Sequence, residues 1–203
     1  FPTVEVRWFC RGTIPVGVRA WFQRGEGEPE AAPSRVDHYL RLTDGGGLGI
    51  KVREGRLELK QRQGQQGALR LHQRVTGRVE HWRKWSFALS EGGSALDRML
   101  VPPQAWIGVA KARLLRRYLV TGEDRIVPTS TGEYPERACD WELTQVRVRG
   151  LAWWTVGFEA FGQESALPET LRLVAGQVLA AREPPRLQIL DSFGYPEWLR
   201  MLG

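Results

Sequence analysis

Apolar and polar residues alternate in short stretches along most of this chain, the period-two pattern of strands with one face buried. Such stretches fall at 3–9, 16–23, 35–42, 48–53, 56–62, 78–89, 106–120, 140–149 and 152–161. Gly, Pro and Asp punctuate them, as in Asp44-Gly45-Gly46-Gly47 and Glu54-Gly55, which favours tight turns. Segments 24–34, 63–67 and 121–137 hold little that could be buried and read as exposed loops. Helical spacing comes late, with Leu167, Leu171, Val174 and Val178 on one stripe behind Pro168 and Glu169, residues suited to a first turn. A shorter helix is predicted over 195–202, after an Asp191-Ser192-Phe193-Gly194 turn. Strands in this number suggest a barrel or a sandwich. The expectation is a mainly β, α+β chain: an eight-stranded antiparallel β-barrel or tunnel with C-terminal helices packed outside, in a single domain spanning 1–203.

Charge adds a partner class. The chain's 203 residues, 42% hydrophobic, can build one sizeable core. Its 29 Lys+Arg against 23 Asp+Glu give +6, which favours anionic partners. Only Lys51, Lys60, Lys84 and Lys111 are lysines, so 25 of those cations are arginines. Arginine grips phosphate or carboxylate oxygens two at a time, although a GC-rich genome would give the same excess. Cys10 and Cys139 stand far apart without CxxC spacing, so neither a disulfide framework nor a zinc site is indicated, and a reducing, cytoplasmic setting fits. No apolar run approaches the roughly 18 residues that span a bilayer, and no signal peptide is legible. No membrane partner is therefore expected.

Several strands carry their charge on one face. Lys51 and Arg53 lie opposite Ile50 and Val52; after the Glu54-Gly55 turn, Arg56, Glu58, Lys60 and Arg62 lie opposite Leu57 and Leu59. Glu5 and Arg7 share a face on the first strand, as do Arg78, Glu80 and Lys84, and Lys111, Arg113 and Arg117. Any one of these rows could be an ordinary solvated outer face, and alternation alone does not say which face is inside. Together they carry more, because like charges on neighbouring strands repel unless something anionic lies among them. A phosphate chain would relieve that repulsion. Interspersed carboxylates (Glu5, Glu58, Glu80, Glu142 and Glu159) could each be an ion pair with a neighbouring arginine. They also suit magnesium, which takes oxygen ligands and shares its positions with water and phosphate.

These residues resemble the CYTH superfamily of triphosphate tunnel enzymes. The family opens on a Glu-x-Glu-x-Lys strand; here Thr3-Val4-Glu5-Val6-Arg7 keeps the second Glu, with Arg7 for the lysine and Thr3 for the first Glu. Asp37-His38-Tyr39, then Gly49 to Arg53 and Leu57 to Arg62, are similar to its basic strands. Val79-Glu80, Lys111-Ala112-Arg113, Arg116-Arg117-Tyr118 and Trp141-Glu142-Leu143 look like its later tunnel strands. Gly157-Phe158-Glu159-Ala160-Phe161 looks like its Glu-x-Glu metal strand with Phe161 for the second Glu, and Ser192 to Leu199 is similar to its terminal helix.

The resemblance implies a metal-dependent phosphohydrolase acting on an inorganic or organic triphosphate. It implies phosphate-binding roles for Arg7, Lys51, Arg53, Lys60, Arg62, Lys111, Arg113 and Arg117, and catalytic and metal-binding roles for Glu5, Glu142 and Glu159, with Mg2+ or Mn2+ as cofactor. Thr3 and Phe161 reduce both two-glutamate motifs to one. A non-catalytic module of the same fold, binding polyphosphate or a phosphorylated metabolite, is therefore the alternative. A nucleic-acid binder is the third reading, against which the carboxylates within the basic rows count, since they repel a phosphate backbone. His38, His72 and His81 have no ligand spacing, no Gly-Lys-Ser/Thr loop is present, and most of the nine tryptophans read as core.

Overall fold

The computed structural model describes residues 1–43, 46–89 and 102–202. Nine strands form one antiparallel sheet: β1 (Pro2–Arg11), β2 (Glu30–Leu40), β3 (Leu48–Arg53), β4 (Arg56–His72), β5 (Val75–Ala88), β6 (Trp106–Val120), β7 (Ile126–Thr129), β8 (Arg137–Val148) and β9 (Leu151–Gly162). The order β2-β3-β4-β5-β1-β9-β8-β6 closes on itself through β2–β6 pairing, which makes an eight-stranded barrel, and β7 hangs on β6 outside the ring. The described residues also form three α-helices: α1 (Val16–Gln23), α2 (Leu167–Ala180) and α3 (Tyr195–Met201). Among the described residues, no helix is long and apolar enough to cross a membrane.

Alternation along each strand divides the molecule into two environments. On β1, Val4, Val6 and Trp8 face outward, and they join Trp141 and Leu143 of β8 and Val156 and Phe158 of β9 in a core covered by α1 and α2. The main apolar core thus lies outside the barrel wall. Thr3, Glu5 and Arg7 face the other way and are also buried, at 5% exposure or less. Since both faces of β1 are dry, its inward charges need partners within the barrel.

A second apolar cluster fills one end of the barrel. Phe9, Tyr39, Ile107, Val109, Val146 and Val148 meet Trp198 and Leu199 of α3 there. Trp198 stacks on Phe9 at 4.5 Å between centroids, and Tyr195 stacks on Tyr39 at 5.7 Å. The helix at 167–180 packs on the outer wall as expected, whereas the last helix seats at this end and forms the floor of the interior.

Four expectations need correction. Stretch 16–23 is a helix, not a strand. Over eight residues its alternating Val16, Val18, Ala20 and Phe22 compete with a helical set, and burial of Val18, Trp21 and Phe22 with Val16 left out follows the helical spacing. Segment 63–67 is not a loop: β4 runs through it, Gly64 and Gln65 pair with His81 and Glu80 of β5, and register shifts on either side take up Gln63, Gln66 and Gly67 as bulges. The 24–34 loop stops at β2, which begins at Glu30, and the 121–137 segment contains β7. Of the Asp44–Gly47 turn, Asp44 and Gly45 lie outside the described residues.

Candidate functional site

The barrel interior holds a cavity of about 780 Å3 lined by ten Lys or Arg side chains and five carboxylates. All four lysines of the chain are among them. That separation of residue types is informative: the surface is served by arginine, while the crowded interior takes every compact ammonium the chain has. Of the eight expected phosphate-binding cations, Arg7, Lys51, Arg53, Lys60, Lys111, Arg113 and Arg117 line the cavity. Arg62 does not. It shares a strand face with Lys60, but its guanidinium donates to Glu80 at 2.7 Å and lies 3.6 Å from Glu197 of α3, so it ties the floor helix to the barrel wall.

Arg7 sits at the centre of the network. Its Nε donates to Glu5 at 3.0 Å, and one terminal nitrogen donates to Glu142 at 2.6 Å and to Thr155 at 3.1 Å. Gly157 on the neighbouring strand leaves room for this group, since a Cβ there would stand 2.8 Å from the guanidinium carbon. Glu5 also pairs with Lys60, and Glu159 with Lys84. Burial pushes the Glu142 carboxyl up, but Arg7 and Arg113 outweigh it and hold the group at about 2. Burial is likewise outweighed at Glu159 by Lys84 and Lys60, and at Glu5 by Lys60 and Arg7, so both are held below the usual carboxylate range. All three expected glutamates line the cavity in ionised form.

Nearer the floor, Asp37 is fully buried and collects Lys111 at 3.0 Å, Lys51 at 3.4 Å and Arg35 at 2.9 Å. Lys111 also donates to the Tyr39 hydroxyl at 2.7 Å and stands 3.7 Å from the Tyr195 ring centroid. Burial pulls the Lys111 amine down to about 7 despite Asp37 beside it. Lys51 is lowered too, again chiefly by burial. Like charge adds to the effect of burial, from Lys51 at Lys111 and from Arg53 at Lys51. The interior holds more cation than its own carboxylates neutralise.

Whether these residues suit a divalent metal turns on what the carboxylates already hold. Among the described residues, no three His, Cys, Asp or Glu side chains gather as a metal-holding group. Glu5 faces Arg7 and Lys60, Glu142 faces Arg7 and Arg113, and Glu159 faces Lys84. Thr3 and Phe161, the two departures from paired glutamates, are themselves cross-strand partners of β1 and β9. At that point the rim offers a hydroxyl and a ring where a second carboxylate pair would stand. The donor set is an ion-pair network in which each of these carboxylates already holds a cation.

Sequence reasoning missed Lys84, Arg35, Tyr39 and Tyr195 as cavity groups, and Asp37 as the buried carboxylate that pairs with three of the cavity cations. Lys84 shares its strand face with Glu80 and is one of only four lysines, a signal that could have found it. Tyr195 had no comparable signal, because only the position of α3 at the barrel end brings its ring beside Lys111 and Arg7. Glu58 and Glu80 do form the ion pairs open to them, with Arg53 at 2.5 Å and Arg62 at 2.7 Å.

Fold and site together define a closed antiparallel β-barrel with an ionised interior, closed at one end by a C-terminal helix. No protein-family model matches the chain, and no curated protein matches it. Among solved structures it is similar to a conserved hypothetical protein of Pyrococcus furiosus, at 14% identity over 96% of this chain and 98% of that one, TM-score 0.45. A chain of the Schizosaccharomyces pombe Mediator head module aligns at 6% identity over 89% and 96%, TM-score 0.46. A provisionally named adenylate cyclase of Bacillus halodurans aligns at 12% identity over 92% and 97%, TM-score 0.34. Likenesses this loose bear on nothing below, and the functional reading rests on the chain's own cavity.

Proposed function

We propose that the barrel binds a small anion carrying several phosphate groups, seated end-on in the interior. One observation carries the reading: ten cationic side chains and only five carboxylates share one cavity, and two of the lysines are pushed toward neutrality by burial. A polyphosphate supplies the missing negative charge and many acceptor oxygens in a narrow shape. A nucleic-acid strand could reach these cations only by threading an end into a chamber whose floor is filled. The test is calorimetric titration with inorganic tripolyphosphate in the presence of a chelator. Binding is expected, weakened about 10- to 150-fold by Lys60→Met, the range that loss of one charged hydrogen bond implies. No binding by the unaltered chain would overturn the proposal.

Hydrolysis of the bound triphosphate is the second reading, favoured by Glu5, Glu142 and Glu159 lining the same cavity. It requires these carboxylates to exchange their Lys and Arg partners for a divalent metal, Mg2+ or Mn2+, whose chemistry would be to stabilise charge on the transferring phosphoryl group. Phosphate release that needs metal and collapses in Glu159→Gln is the expected sign of it. Tight binding with no release across tripolyphosphate and nucleoside triphosphates would leave a binding module.

A further inference from the structure

Arg117 shares a strand face with Lys111 and Arg113, yet it is not free to hold a phosphate. Its Nε and one terminal nitrogen grip both oxygens of Asp140, at 2.7 and 3.0 Å. The other terminal nitrogen donates to the carbonyls of Thr131 and Glu133. The segment that carries those carbonyls is held again from β2, where the Glu30 carboxylate accepts from the Thr131 amide at 2.9 Å. Thr129 fastens it a third time by donating to Glu133 at 2.9 Å. An interior arginine is thus spent on fixing a rim segment.

That segment presents Tyr134, which is 82% exposed while lining the same cavity as the cations. Its ring stands edge-on to Phe161, 6.1 Å between centroids. The Arg117 guanidinium lies against both rings, 5.0 Å from Tyr134 and 4.5 Å from Phe161. Leu115 and Pro135 complete an apolar rim beside them. An exposed tyrosine on a loose loop would need no explanation. Here a large planar face is held in place, by a charge taken from the phosphate-binding rows, at the edge of a polyanion pocket.

We infer that the anion held by the barrel carries a planar aromatic or heteroaromatic group at one end, and that Tyr134 stacks on that group at the rim. The inference rests on the proposed binding of a polyphosphate and decides between its inorganic and organic forms. Base-on-aromatic stacking is tolerant of which ring is stacked, so the surface selects for a ring rather than for one particular base.

Titrations in chelator with inorganic tripolyphosphate, ATP and thiamine triphosphate test it, using the full chain and the variants Tyr134→Ala and Tyr134→Trp. At least one ring-bearing triphosphate should bind more tightly than tripolyphosphate. Tyr134→Ala should weaken that ligand about 5- to 150-fold, the range for loss of one stacked ring. It should leave tripolyphosphate affinity unchanged, and Tyr134→Trp should restore binding. Equal loss for all three ligands would show that Tyr134 only supports the rim and would overturn the assignment. So would a ring-bearing ligand that gains nothing over tripolyphosphate. If tripolyphosphate itself does not bind, the reading of the barrel falls as well, which separates the two failures.

Discussion

Asp37→Asn tests whether the interior is short of negative charge. The carboxylate is fully buried and faces Lys111, Lys51 and Arg35 within 3.4 Å. Its attraction to Lys111 alone, at 3.0 Å, is about 5 kcal/mol at an effective dielectric constant near 20, before the desolvation cost is subtracted. Removing one member of a buried ion pair typically costs about 3–5 kcal/mol, because the remaining charge is left uncompensated. Lys111, whose amine already sits at about 7, can shed its proton and relieve part of that loss. The expected destabilisation is therefore near the lower end, about 3 kcal/mol, which for a chain of this size lowers Tm by roughly 6–12 °C. Thermal and denaturant unfolding at low salt would measure it. Added tripolyphosphate should recover much of the loss, since ligand at about 100 times its Kd stabilises by about 2.7 kcal/mol. An Asp37→Asn protein that melts with the unaltered chain would refute the charge argument.

Two further outcomes follow from single side chains. Lys111 faces Asp37 and Tyr39 on β2, Lys51 on β3 and Tyr195 on α3, and its folded value of about 7 lies below that of a free lysine. An anion prefers the protonated amine, so above pH 7 binding must take up a proton, and affinity should fall by up to about tenfold per pH unit. Calorimetry from pH 7 to 9 should show this decline, and Lys111→Arg, which stays charged, should flatten the part that exceeds titration of the phosphate itself; an unchanged slope would count against the assignment. Arg116, on the outer face of β6, donates to the carbonyls of Phe22, Gln23, Glu26 and Gly27 just where α1 ends. Arg116→Met leaves those acceptors unsatisfied, and the expected loss is about 3 kcal/mol in denaturant unfolding with tripolyphosphate affinity unchanged.

The eight strands that close the barrel all carried their pattern in the sequence, because each has one apolar and one charged face. The charged face is turned into the barrel all the same. Alternation reports a difference between two faces and not which of them meets water, so Lys51 and Lys60 read equally well as surface residues until closure through β2–β6 turned them inward. Stretch 16–23 failed for a related reason: with only two turns, Val18 and Phe22 satisfy both periods, and contact of Trp21 and Phe22 with Trp141 decides for the helix. In 63–67 the glycines and glutamines are exposed, as a loop would be, but β5 supplies ladder partners on one side and bulges take up the irregular register. β7, four residues long with a proline inside it, has too little pattern to be seen. Tertiary pairing decided each of these cases.

The same reasoning explains why the cation rows were easier to find than the site they build. A row of like charges on adjacent strands is visible in sequence, but which members hold ligand depends on what else each one touches. Arg62 is committed to Glu80 and the floor helix, and Arg117 to Asp140 and the rim, although both keep the spacing of their neighbours. Lys51, Lys60, Lys84 and Lys111 are different: each pairs with a carboxylate that is itself shared with a second cation. All four lysines line the cavity, and an ammonium has three protons to give. On the proposed reading, a phosphate would join these shared pairs rather than replace them. That arrangement holds the barrel together before ligand arrives and still leaves it short of negative charge.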